Sequence, residues 1–519
     1  MLPPYSTEPF TDFSNPANVK AFQDAMNKVK SRLGETYPLV IGDQRIFLED
    51  VFPSINPARP DEVLGYFANG TAKHADLAIE AATEAFKKWQ YTTPEERARH
   101  LLNAAAEMRR RKHEFNAVMV LEVGKSWAEA DADTAESIDF LEYYARQILR
   151  IANSDALLTH YPHEQLNLQY IPLGVGAIIP PWNFANAILA GMTSAAIVAG
   201  NTVVLKPAEQ SPLTGWMVAE LFWKMGLPSG VLNFLTGPGE IVGARMVEHP
   251  LTRFIAFTGS RPVGVHIHEV AAKVQQGQVW LKRSILEMGG KDAIVVDETA
   301  DLDSAAQGIV ASAFGFQGQK CSAASRVILH NDIYDAVADR VVALTEKLSV
   351  GATDLSPDIY TGPVIDQEAF DKVRHYINIG TQEGKLLAGG RVVESNENGY
   401  FIAPTVFGDI PEGGRVAQDE IFGPVTALIR ATSFSDAIRI ANGTEYGLTG
   451  AVYSQDRTRL EQARREFHVG NLYFNRKCTG AMVGVHPFGG FNMSGTDSKA
   501  GGPDYLLLFT QAKLIAERL

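Results

Sequence analysis

Residues 315–326, GFQGQKCSAASR, place one cysteine, Cys321, among glycine, glutamine, serine and alanine. A structural cysteine usually lies in an apolar run and packs as a small hydrophobe. This one follows Lys320 and precedes Ser322, in a loop open enough for a thiolate to attack an electrophilic carbon. A second chemical pattern is Lys206 and Glu209, directly after the strand-like run NTVVL. A carboxylate there can accept two hydrogen bonds from a ribose diol, and a lysine can donate to ribose hydroxyls. FTGS at 257–260 opens a helix, and a helix start is a ready anion site, although Ser260 alone reads as a plain N-cap. Gly237, Gly239 and Gly243 are spaced one residue too wide for the usual dinucleotide fingerprint. Taken alone they read as ordinary strand-to-helix turns.

The elements that must position these residues follow from periodicity. A chain of 519 residues points to two to four domains. Residues 1–60 are Pro-rich and read as irregular, with a helical pattern near 17–33. From Ala72 to about Asn153, apolar residues recur at steps of three and four, as in helices. Then short β-branched runs (GVGAIIP, NTVVLKP, GVLNFLTG, RFIAFTG) alternate with helical stretches such as SPLTGWMVAELFWKMG. That alternation predicts an open parallel α/β sheet. A second set of the same kind begins near Lys291, and DYLLLFTQAKLIAERL closes the chain as an edge or subunit-pairing strand. Ligands of such sheets bind beyond the carboxyl ends of the strands, where Lys206, Glu209, Ser260 and the PPWNF segment at 180–184 fall.

Composition excludes several classes. The net charge is 47 − 60 = −13, which argues against a general nucleic-acid or membrane-surface binder. Two cysteines, Cys321 and Cys478, supply neither a disulfide framework nor a zinc spacing, and no metal is expected. A reducing, cytoplasmic setting is the expectation. The start MLPPYSTEPFTDF lacks the pattern of a secretory signal, and no apolar run approaches a membrane span.

Along nearly its whole length the chain resembles the NAD(P)-dependent aldehyde dehydrogenases. The resemblance rests on PWNF at 181–184, KPAE at 206–209, FTGS at 257–260, LEMGGKD at 286–292, GQKCS at 318–322, EIFGP at 420–424 and PFGG at 487–490, in family order. Met288 stands where the family usually has leucine, a near-isosteric change. The fold implied is two open twisted-sheet α/β domains with a small β oligomerisation flap. The NAD-binding domain, Rossmann-like, would span 1–154 and 172–286, and the catalytic domain 287–478. Flap, substrate-anchor loop and C-terminal strand would take 155–171 and 479–519.

The resemblance also implies roles. Cys321 attacks the aldehyde carbon, and some local field must help its thiolate form. The Asn183 amide and the Cys321 backbone N–H stabilise the oxyanion. Glu287, which alone would read as a structural strand-end carboxylate, activates the hydrolytic water. Glu209 holds the adenine ribose and Glu420 the nicotinamide ribose. Lys206, Ser260, Gly259, Pro181, Trp182, Gly289 and Phe422 complete the cofactor site. The cofactor is NAD, with NADP a poorer alternative.

QKCSAASR and the tail TGAMVGVHPFGGFNMSGTDSKAGGPDYLLLFT look like the 1-pyrroline-5-carboxylate dehydrogenases, which oxidise L-glutamate γ-semialdehyde to L-glutamate. In that group Ser322, Gly480 and Ala481 match the anchors of the substrate α-carboxylate. The turn Thr479-Gly480-Ala481 can offer backbone N–H groups to such an anion. Phe488, Phe184 and Lys320 match substrate-pocket positions. Glu136 matches a carboxylate near the entrance; its plain reading is a solvated helix face. Cys478 reads as an ordinary residue near the substrate loop. Two other readings are a dehydrogenase for another carboxylated semialdehyde, such as succinate semialdehyde, and an inactive structural member, against which Cys321, Glu287 and Asn183 argue. The expected partners are a small-molecule substrate and a second copy of the chain, as a homodimer or higher homo-oligomer.

Overall fold

The computed structural model describes residues 3–152, 158–394 and 398–519. Two seven-stranded sheets organise it. In the first, Arg283–Glu287, Thr252–Thr258, Val175–Ile179, Thr202–Leu205 and Leu232–Phe234 lie side by side in that order, all parallel. The antiparallel strands Leu39–Ile41 and Gln44–Ile46 extend the edge beyond Leu232–Phe234. The chain enters at Val175–Ile179, builds outward one way, then returns to its other side with Thr252–Thr258. The strand order therefore reverses between these two strands and opens a crevice at their carboxyl ends.

The strands are apolar because helices cover both faces. Every residue of Thr202–Leu205 is buried, and so is every residue of Asp292–Val296 in the second sheet. That second sheet runs Lys385–Ala388, Thr405–Gly408, Val425–Ala431, Ala324–His330, Asp292–Val296, Thr449–Tyr453, Asn471–Phe474, parallel except for its first strand. Residues 288–291 carry the chain from one sheet to the other, so the LEMGGKD motif bridges them.

The amino-terminal region departs from the irregular reading. Pro16–Lys30 is a helix capped by Asn15, but Glu35–Tyr37, Leu39–Ile41, Gln44–Ile46 and Val51–Asn56 are strands. Three of them have only three residues, too short to show period-two alternation. Glu35–Tyr37 and Val51–Asn56 flank Arg59–Ala68 in a separate three-stranded sheet.

The expected helical block is Ala72–Trp89, Pro94–Arg110, Lys112–Val123 and Trp127–Ile151. The last is capped by Ser126, whose side chain accepts the Glu129 N–H. Strands Glu164–Pro172 and Thr510–Arg518 pair antiparallel along their full lengths. Of the flap segment 155–171, residues 155–157 lie outside the described residues. Among the described residues no helix is long and apolar enough to cross a membrane.

Candidate active site

The loop bearing Cys321 is tightly specified. After helix Leu302–Phe314 the backbone turns left-handed at Phe316 (φ 49°), Gln317 (φ 56°) and Gly318 (φ 65°). Two of these are not glycine, so the turn is held from outside. The Gln317 side-chain amide donates to the carbonyls of Gly124 (2.9 Å) and Pro363 (2.8 Å), and the Gln319 side-chain oxygen accepts the Ile365 N–H (2.9 Å). Gly318 must be glycine for a second reason: a Cβ there would lie 2.3 Å from the Gly423 carbonyl oxygen. The loop then delivers Cys321, half-buried, just before strand Ala324–His330.

Asn183 arrives from the loop after strand Val175–Ile179 and is buried. Its Nδ2 donates to the Gln319 carbonyl at 3.0 Å, which fixes the amide against the loop that bears Cys321. Glu287 ends strand Arg283–Glu287 in the first sheet. Its Oε1 accepts a hydrogen bond from Ser498 Oγ at 2.5 Å, while Oε2 is buried without a partner. Burial pushes its pKa up to about 8, against the pull of Ser498, Lys499 and the Gly490 N–H. The strand end is locked by the Gly259 N–H, which donates to the Glu287 carbonyl at 3.1 Å.

One expectation is reversed. The field around Cys321 does not favour a thiolate: burial, then the carboxylates of Asp292, Glu287 and Glu420, push the thiol well above its usual range. Lys320, adjacent in sequence, does not offset this. Its Nζ is paired with Glu129 Oε1 at 2.7 Å.

The cofactor candidates gather at the carboxyl ends of the first sheet. Lys206 is 2 % exposed and its Nζ meets Glu209 Oε1 at 2.9 Å. The Glu209 side chain remains 41 % exposed, on the rim of the crevice. Gly239 and Gly243 face this pair, and a Cβ on either would approach only Glu209 Oε1 (3.5 Å) or Lys206 Cδ (3.7 Å). An open cradle floored by this lysine–carboxylate pair suits a ribose. Ser260 is the N-cap of helix Arg261–Ala272, with no capping bond from its side chain. On the second-sheet side, Glu420 Oε1 accepts the Gly290 N–H at 3.0 Å. A Cβ on Gly289 would lie 2.3 Å from that carboxylate, so only glycine fits there. Phe422, at φ 58°, meets Trp182 edge-to-face at 5.6 Å, next to the half-buried Pro181.

The substrate candidates centre on the turn at 479–481. Gly480 has φ 77°, the left-handed conformation that the turn requires. Arg476 Nη2 donates to the carbonyls of Thr479 (2.8 Å) and Gly480 (3.1 Å), and its guanidinium lies over the Tyr473 ring at 4.3 Å. With those carbonyls clamped from behind, the N–H groups of Gly480 and Ala481 keep no partner among the described residues. Ser322 is buried beside the turn, and its carbonyl accepts the Cys478 thiol at 3.3 Å. Cys478 itself is fully buried in a core cluster. Phe488 and Phe184 are half-buried.

Glu136 does not sit on a solvated helix face. It is half-buried, and burial, with Asp133 next in effect, pushes it up to about 8. Around it lies a charge cluster that the sequence reading missed. Lys125, fully buried, pairs with Asp133 Oδ2 at 2.7 Å. Its ammonium also sits 4.4 Å from the Phe184 ring centre and 4.6 Å from that of Phe316. Asp133 Oδ1 accepts the Ala187 N–H at 2.6 Å, which ties helix Trp127–Ile151 to the segment carrying Asn183. Acids at 129, 131, 133, 136 and 139 crowd the first half of the helix, and that crowding was the available signal.

Residues 47–515 match the model of the aldehyde dehydrogenase family. The chain belongs to the aldehyde dehydrogenase family. This aldehyde dehydrogenase is 58% identical, over the full length of both chains, to a 1-pyrroline-5-carboxylate dehydrogenase of Anoxybacillus flavithermus. Among solved structures it superposes with a TM-score of 0.97, at 51% identity and full coverage of both chains, on a Thermus 1-pyrroline-5-carboxylate dehydrogenase with bound NAD. A betaine aldehyde dehydrogenase of Staphylococcus aureus in complex with NAD+ shares the fold at TM-score 0.88 and 28% identity, covering 96% of this chain and 97% of that one.

Proposed function

We infer that this aldehyde dehydrogenase oxidises L-glutamate γ-semialdehyde, the open form of 1-pyrroline-5-carboxylate, to L-glutamate with NAD. The observation that carries the activity is the full-length 58% identity to a 1-pyrroline-5-carboxylate dehydrogenase. The turn at 479–481 supplies a physical reason. Its two free N–H groups, backed by Arg476, suit a carboxylate held near Cys321. Ser322 adds a hydroxyl to that anchor. Phe184 and Phe488 flank the chain of the substrate, Lys320 holds Glu129 at the wall, and Glu136 offers a carboxylate to the substrate's ammonium group.

In this reading Cys321, once its thiol has released its proton to solvent, attacks the aldehyde, and the oxyanion that forms is met by the Asn183 amide and the Cys321 N–H. Such donors are typically worth ~3–4 kcal/mol each in the transition state. NAD, when bound, accepts the hydride, leaving a thioester on Cys321. Glu287 takes a proton from water, and the hydroxide equivalent releases glutamate. Glu209 and Lys206 hold the adenine ribose, Glu420 the nicotinamide ribose. Pro181, Trp182, Gly259, Ser260, Gly289 and Phe422 line the path between them. The first sheet would then be the NAD-binding unit and the second the catalytic one. The paired strands Glu164–Pro172 and Thr510–Arg518, the latter exposed along nearly its whole length, would be the surface that meets a second copy of the chain, in the cytoplasm.

The test is product identification. With 1-pyrroline-5-carboxylate and NAD, L-glutamate should form in step with NADH, and succinate semialdehyde should be a much poorer substrate. A higher kcat/KM for succinate semialdehyde would reassign the substrate.

A further inference from the structure

The proposed base is gripped by a residue that the motif reading passed over. Ser498 is buried, and its hydroxyl is the one side-chain donor to Glu287 among the described residues. The other carboxylate oxygen, Oε2, is buried and unpartnered. Both oxygens face glycines. A Cβ at Gly489 would lie 2.8 Å from Oε1, and one at Gly495 3.4 Å from Oε2, so side chains there would crowd the carboxylate. The grip is itself anchored. The Leu286 N–H donates to Thr496 Oγ1 at 3.0 Å, and the Thr496 N–H donates to the Leu286 carbonyl at 2.9 Å. The 494–498 segment thus runs alongside the strand end.

We propose that Ser498 is a positioning residue for Glu287: its hydroxyl pins Oε1 at the strand end and leaves Oε2 as the oxygen that receives the proton of the hydrolytic water. This rests on the reading of Glu287 as the deacylation base. A carboxylate on a strand end has two free side-chain torsions beyond its Cβ, and an unpinned one would spend most of its time misdirected. Pinning through a hydroxyl also favours the charged form, which is the form that acts as base.

The groups facing Glu287 are few. Lys499, whose Nζ donates to the carbonyls of Gly470 (2.7 Å) and Gly489 (2.5 Å), attracts its negative charge from the same segment as Ser498, and Asp497 opposes. The Gly490 N–H favours the carboxylate from the 489–490 turn. The buried Tyr505 hydroxyl and the Cys321 thiol both feel its charge from their own elements. With Ser498 removed, burial acts on Glu287 with one opposing donor fewer, so its proton affinity rises.

The experiment compares wild type, Ser498→Ala, Ser498→Thr and Glu287→Gln, reading the NADH burst and the steady-state kcat from pH 6 to pH 10. For Ser498→Ala the burst amplitude should persist. The steady rate at pH 7 should fall about tenfold, and the rise of kcat with pH should move up by about one unit, the two being one effect for a single base. Ser498→Thr, which keeps the hydroxyl, should return the profile towards wild type. If Ser498→Ala proves unable to fold, Ser498→Cys, a weaker donor, should show the same shift in smaller measure. An unmoved profile midpoint, with or without a uniform loss of rate, overturns the assignment of Ser498. A wild-type steady rate in Glu287→Gln would instead remove the base reading on which the assignment rests.

Discussion

Lys320 precedes Cys321 directly in sequence, yet its ammonium is held by Glu129 at 2.7 Å. Although burial pulls the other way, that contact holds Glu129 below its usual pKa. The sequence neighbour of Cys321 is thus tied to Glu129, and the thiol is left among carboxylates.

The reactivity of the free thiol should show this. Alkylation of Cys321 by iodoacetamide in the cofactor-free enzyme should be slow at pH 7. It should keep rising through pH 9 without levelling, since burial and three carboxylates favour the thiol. A plateau below pH 7 would mean a stabilised thiolate.

The anchor turn predicts a selective loss. Gly480 has φ 77°, and a Cβ would come within 3.2 Å of Lys477 Cε. Gly480→Val should therefore distort the turn and raise KM for the semialdehyde strongly, while propanal, with no carboxylate to anchor, should be affected much less. Ser322→Ala should show the same selectivity more weakly, by roughly the ~1.5–3 kcal/mol of one hydrogen bond to a charged group. Equal losses for both substrates would dismiss the anchor.

Glu209 should bias the enzyme towards NAD. A carboxylate ~4 Å from a 2′-phosphate at an effective dielectric of ~20 is opposed by roughly 4 kcal/mol. The 41 % exposure of its side chain and the Lys206 ammonium at 2.9 Å both reduce that figure. Glu209→Gln should raise the kcat/KM ratio of NADP to NAD by about tenfold, roughly 1.4 kcal/mol. An unchanged ratio would place the adenine ribose elsewhere.

Lys125 should matter for stability. Removing one partner of a buried ion pair typically costs about 3–5 kcal/mol, because the other charge is stranded. Lys125→Met should lower the melting temperature clearly, and adding Asp133→Asn should recover part of the loss. Full additivity of the two would contradict a direct buried pair.

Much of this was legible in sequence, and the reason differs by element. Thr202–Leu205 and Asp292–Val296 announced themselves because parallel strands covered on both faces are continuously apolar. Cys321, Glu287 and Asn183 could be singled out as candidates because each lies in a short motif that can be recognised in the sequence alone. What the sequence hid is tertiary. Ser498 reaches Glu287 across 211 positions, and Gln317 meets Gly124 across 193. The polarity of the field at Cys321 depends on Asp292 and Glu420 arriving from separate turns. The strands of residues 35–46 escaped because three residues carry no period. Glu136 looked solvated because helical spacing gives its face but not what packs against it.

In the proposed reaction Cys321 carries the acyl group derived from L-glutamate γ-semialdehyde. The most direct measurement is NADH formation from 1-pyrroline-5-carboxylate by wild type and Cys321→Ala, with NAD binding to each followed by calorimetry. Wild type should turn over robustly, Cys321→Ala should lose both burst and steady rate, and NAD affinity should be unchanged between them. Activity of Cys321→Ala within tenfold of wild type, with NAD still bound, would contradict it.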